Sequence, residues 1–272
     1  MLIANAMRYV GAVLGLSLTG SGALIAGFEV GGLVVAASPL AAAIIVRAIG
    51  GDGLRGVGLG LTGTRGWYWL GFVLFPVAMS TAVGLGFLAG AVEFRPDVST
   101  ASLAASALAG LLPGVSLALG EEFGWRGYFT PLLEANRVRP LVNHAIVGAT
   151  TVLWHVPSIA ATPTYTDQPV WLFAPLFALG VMATSVTLGE TRLRTKSVWP
   201  AVFASSINNA FGSALLSDGV FARMDTLWFA PRPEAIVTVA VFGAIAIGVC
   251  LVPRPPKPPP TPDALPPFLF MP

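Results

Sequence analysis

Apolar runs of about twenty residues recur along this chain, and that is the length a helix needs to cross the hydrocarbon of a bilayer. Eight can be drawn: Tyr9–Phe28, Val30–Ile49, Trp67–Val92, Ser102–Glu122, Leu141–Ser158, Val170–Leu188, Ser197–Leu216 and Ala235–Val252. Only 10% of the 272 residues are charged and the mean hydropathy is +0.77, too oily for a water-soluble globule. Strand-like alternation is absent, which argues against a membrane barrel. The expected fold is all-α, a polytopic membrane helical bundle of about eight transmembrane helices. The fourth run is expected to continue as a polar helix. The first, preceded by Arg8, is longer than a signal-peptide core and reads as an anchor.

The basic residues orient these spans. With the N-terminus inside, Arg8, Arg47, Arg55, Arg65, Arg126, Arg137, Arg139, Arg192, Arg194, Lys196, Arg254 and Lys257 fall on the cytoplasmic side. Only Arg95, Arg223 and Arg232 fall outside, an asymmetry that fits the positive-inside rule. The net charge of +2 thus reflects topology, and nucleic acid is not an expected partner. Both termini are expected in the cytoplasm.

The membrane domain is expected over residues 1–252, followed by a Pro-rich tail over 253–272 that holds ten of the 23 prolines and reads as disordered. The single cysteine, Cys250, lies in the last apolar run and reads as a lipid-facing or packing residue. Gly11 with Gly15 and Gly86 with Gly90 are small-residue pairs of the kind that permit close helix contact. Pro113 and Pro157 are expected to kink helices beside polar residues.

Against this background Glu121, Glu122 and Arg126 stand out, because an ionisable group inside a membrane is a functional site by default. Arg126 lies one helical turn beyond Glu122 and can pair with it, a pairing that reads equally as a lock within the bundle. Glu121 is left without a local partner.

A hairpin argument ties His155 to Glu121. With a turn between Arg137 and Arg139, the two lie equally far from it, about 24 Å along antiparallel helices, and come level. His144, near the turn, reads as interfacial. In the seventh run Ser205 and Asn209 share a face, with Ser206 and Asn208 beside them, about 14 to 20 Å beyond Lys196. A carboxylate, an imidazole and an amide on three helices can thus meet in one pocket. Such a set can activate a water and stabilise an oxyanion, or hold a divalent cation. Taken singly, His155 and the asparagines also read as hydrogen-bonding glue between helices.

The segments Leu119-Gly120-Glu121-Glu122-Phe123-Gly124-Trp125-Arg126-Gly127-Tyr128 and Leu153-Trp154-His155-Val156-Pro157 resemble the CPBP family of intramembrane proteases, the CAAX prenyl endopeptidases and the Abi, bacteriocin-immunity relatives. A weaker echo runs from Leu193 to Val202, and the resemblance spans about residues 65–217. It implies an intramembrane endopeptidase in which Glu121 activates the attacking water, Glu122 and Arg126 complete the first motif, and His155 is the second-motif histidine. The third motif, His-x-x-x-Asn in the family, falls on Ser205 and Asn209, so the asparagine is present and the histidine is replaced.

The expected partners are membrane lipid and a peptide or protein C-terminus as substrate, with the protein integral to a bacterial plasma membrane. The serine motivates an alternative, a catalytically impaired pseudoprotease that binds peptides or partner helices. A small proton-relaying transporter is a third reading, without the repeat symmetry that would support it. Metal dependence is left open: a divalent ion such as zinc would have Glu121, His155 and Asn209 as ligands, a thin set for zinc.

Overall fold

The computed structural model describes residues 2–50, 56–162, 165–217 and 219–253. The expected tail therefore lies outside the described residues except for Pro253, as do Arg55, Arg254 and Lys257 of the orientation argument.

Among the described residues ten α-helices follow in order: α1 (Leu2–Ile25), α2 (Val30–Gly50), α3 (Arg65–Leu88), α4 (Thr100–Gly124), α5 (Thr130–Ala135), α6 (Pro140–Ala160), α7 (Val170–Thr195), α8 (Trp199–Leu215), α9 (Thr226–Phe229) and α10 (Ile236–Leu251). Five stretches are long and apolar enough to cross a membrane: α1, α2, α3, α7 and the run from Thr100 to Ala135. The remaining three expected spans are also helical, as α6, α8 and α10. The last two of these have 17 and 16 residues. The protein is an all-α membrane bundle. Large apolar side chains such as Leu112, Trp171 and Ile247 are exposed on its outside, as lipid-facing residues are.

Local chemistry sets the element ends. Ser99 caps α4, with Ser102 completing a reciprocal capping box. The hairpin between α5 and α6 is made by three features in a row. Asn136 bonds back to the Leu132 carbonyl, Arg137 adopts a left-handed conformation, and Pro140 opens α6. Two short strands, β1 (Val92–Phe94) and β2 (Phe221–Met224), pair antiparallel and clip the loops at one end of the bundle.

The expected polar continuation of α4 is instead the centre of an aromatic core. Trp125, Tyr128 and Phe129 are buried around Tyr9 of α1, with ring centroids 5.8, 5.3 and 4.8 Å away. Of the glycines expected to permit close helix contact, Gly86 does so, lying against Phe229 of α9 and Val92, and the other close approaches occur elsewhere. Gly11 and Gly15 face open space, and Gly90 lies in a turn after α3. Gly114 of α4 lies against the α8 backbone, where a Cβ would come 3.0 Å from the Ser206 carbonyl oxygen. Gly124 is seated on Pro39 of α2, and Gly180 of α7 on the Pro233 carbonyl.

His144, expected near the interface, has a partner that the sequence did not reveal. It is fully buried, with Nε2 3.0 Å from Glu190 Oε1 on α7. Arg194 Nε donates to Glu190 Oε2 at 3.0 Å and its Nη2 to the carbonyls of Val249 and Val252, so the cluster ties α6, α7 and α10 together. Removing one member of a buried ionic cluster strands the others. Glu190→Ala is expected to destabilise the bundle by about 3–5 kcal/mol, read as a lowered melting temperature in detergent, whereas Cys250→Ser leaves it unchanged.

Candidate active site

The last turn of α4 brings Glu121 and Glu122 into the bundle, and the chain then widens into a π-helical turn over Trp125–Phe129. Such turns are rare and cluster at functional sites, because the extra residue re-aims side chains without ending the helix. Here the turn carries Arg126. Its Nη1 sits 3.2 Å from each oxygen of Glu122, and both side chains are almost wholly buried. Ser205 of α8 donates to Glu122 Oε1 at 2.8 Å. The backbone of the turn is held as well: Arg192 Nε donates to the Arg126 carbonyl at 2.7 Å and its Nη2 to the Gly56 carbonyl at 2.6 Å.

His155 arrives on α6. Its neighbour Trp154 fixes that helix, because the indole N–H donates to Ser38 Oγ of α2 and the Trp154 carbonyl accepts from Ser17 Oγ of α1, each at 2.7 Å. His155 Nδ1 lies 2.8 Å from the Thr151 carbonyl oxygen. A carbonyl only accepts, so Nδ1 carries a proton, and the ring in its neutral form presents its lone pair at Nε2. Trp154 and Phe177 meet the imidazole edge-on, with centroids 4.4 and 5.2 Å away.

These groups line a cavity of about 150 Å³. Glu121, Glu122 and Arg126 form one wall, His155 and Thr151 another, and Ser205 with Asn208 a third. Of the residues expected at the site, Asn209 is the one that does not line this cavity. Its amide donates to the Gly114 carbonyl at 3.2 Å, and the neighbouring Asn208 faces the cavity in its place. Trp125 and Arg232 also line it and were not singled out from sequence. The signal for Trp125 was its place one turn after Glu121. Arg232 sits in a loop far along the chain and gave none. The indole Nε1 of Trp125 and the Nε of Arg126, both buried, have no protein partner.

Zinc fits this donor set poorly. No three His, Cys, Asp or Glu side chains cluster as metal ligands among the described residues, and Glu122 is already held by Arg126 and Ser205. One further carboxylate, one imidazole and one amide fall short of the N- and S-rich sites that zinc prefers.

Residues 100–211 match the family model of the Rce1-like type II CAAX prenyl endopeptidases. That segment holds Glu121, Glu122, Arg126, His155, Ser205 and Asn209, and over it the chain is similar to the CAAX-protease family of membrane proteases. No curated protein matches the chain.

Two predictions follow from the site's charges. Glu122→Gln leaves Arg126 buried without its counter-charge and is expected to cost about 3 kcal/mol or more, while Ser205→Ala costs about 1 kcal/mol; thermal unfolding in detergent ranks them. At the loop, burial pushes the Glu234 carboxyl above the usual carboxylate range, its Oε2 being without a partner and Arg232 standing 3.9 Å away. Its neutral form therefore favours the fold below the ordinary carboxylate pKa, and that contribution is lost as pH rises through the raised value. Melting curves from acid to neutral pH should show the native protein losing stability relative to Glu234→Gln as pH rises. A constant difference would contradict this.

Proposed function

We propose that the protein is an intramembrane endopeptidase of the CAAX-protease type, in which Glu121 acts as general base. The observation that carries this reading is the pairing of roles around the cavity. Glu122 is held by Arg126 and Ser205, whereas Glu121 faces the same space with no hydrogen bond from a neighbouring side chain among those described. Glu121 takes a proton from a water that His155 Nε2 helps to hold. The resulting hydroxide adds to the carbonyl carbon of the scissile peptide bond. The developing oxyanion meets a donor from the Asn208 amide, which lines the cavity. The protonated Glu121 then returns its proton to the leaving nitrogen, so one water is consumed and a carboxylate and an amine are released. Peptide segments in the membrane, or protein C-termini at its surface, form the substrate class. The protein resides in a bacterial plasma membrane with its arginine-rich end and both termini in the cytoplasm.

One observation favours a second reading. Where the family motif has a histidine, Ser205 spends its proton on Glu122, so the site works with one imidazole or not at all. In the latter case the chain is a pseudoprotease that binds peptides in the same pocket.

Purified protein in lipid, offered membrane and C-terminal peptides, separates the two. Glu121→Gln is expected to lower cleavage by about 10²-fold or more without changing the melting temperature or membrane insertion, and His155→Gln to do likewise. Cleavage undiminished in Glu121→Gln overturns the proposal. Activity that appears only in Ser205→His identifies the native chain as a pseudoprotease.

A further inference from the structure

The cavity around Glu121 has an orientation within the bundle. Its only lining residues from a connection between helices are Pro231, Arg232 and Pro233, among the described residues. A second cavity of about 330 Å³ adjoins it, sharing those three residues together with Met79 and Asn208. This second space adds Asn209 and Ser213 of α8 and, from the loops of the same end, Tyr165 and Leu216. No described residue of the opposite end's connections, 56–64, 136–139 and 196–198, lines either cavity. That opposite end is the one where Arg47, Arg192, Arg194 and Lys196 gather.

We infer that the second cavity is the path by which a substrate chain reaches Glu121, and that it opens to the extracytoplasmic face. The inference rests on the protease reading for its occupant and on the arginine asymmetry for the side. The occupant is a peptide in extended form. A helix satisfies its own backbone groups, whereas an unwound segment at membrane depth carries free N–H and C=O groups that need partners. The side chains of Asn208, Asn209 and Ser213 supply polar contacts along the path, and Arg232 stands where the two cavities meet. The chemistry thus acts on segments presented from outside the cell, away from the arginine-rich surface.

The test uses a membrane-impermeant maleimide on single-cysteine variants of the full chain, made in a Cys250→Ser background because Cys250 is the one native cysteine. Asp97→Cys reports the loop end, Arg139→Cys the arginine-rich end and Ser213→Cys the path. All three positions are exposed. In intact cells Asp97→Cys and Ser213→Cys are expected to react, and Arg139→Cys only after permeabilisation. Reaction of Ser213→Cys together with Arg139→Cys, or failure of Ser213→Cys to react from either side, overturns the proposal. So does an inverted pattern in which Asp97→Cys is protected in intact cells. Labelling needs no catalysis, so the same pattern in a Glu121→Gln background keeps this outcome separate from the fate of the protease reading. Where cleavage is measurable, modification at Ser213→Cys should abolish it and modification at Asp97→Cys should not. Unimpaired cleavage after complete modification of Ser213→Cys overturns the path.

Discussion

The buried pair of Glu122 and Arg126 is what allows the rest of the site to exist. Two carboxylates side by side in a membrane bundle carry a large desolvation penalty, and a charge removed from water persists only when it is paired and hydrogen-bonded. The pair meets that condition within a single helical turn, so it forms with the helix itself. Ser205 then joins it from α8, and Arg192 grips the same turn through the Arg126 carbonyl. With Glu122 committed in this way, its neighbour Glu121 is free to face the cavity.

A second buried cluster, His144 with Glu190 and Arg194, has a different task. It lies where α6, α7 and α10 converge, and Arg194 closes the free carbonyls at the end of α10. The two histidines of the chain are therefore unlike. His144 is locked between helices, while His155 lines the cavity with the proton on its Nδ1 engaged by the Thr151 carbonyl.

The parts legible from sequence were those coded locally. The turn expected between Arg137 and Arg139 is where the structure has it, with Arg137 left-handed and Pro140 opening α6, and from it the common level of Glu121 and His155 could be counted. Helix length gave the all-α bundle for the same reason. What escaped depended on contacts distant in the chain. The partner of His144 lies 46 residues away, so its burial could not be counted from the turn. Asn208 and Asn209 differ by one step of helical rotation, and which of them faces the cavity is decided by how closely α8 approaches Gly114. The π turn left no mark, because one extra residue in a helical turn follows from packing around Tyr9 and not from any residue type.

The glycine seam between α4 and α8 has a mechanical consequence. With Gly114 held against the α8 backbone, the two helices that carry Glu121 and Asn208 cannot slide past each other without collision. They form a stator. The opposite side of the cavity is an irregular Pro231–Pro233 segment, held by the Pro233 carbonyl resting on Gly180 and by Arg232 donating to the Tyr165 carbonyl. Any change in aperture falls to that segment, so the width of the passage is governed by a joint outside the part of the chain that carries the chemistry.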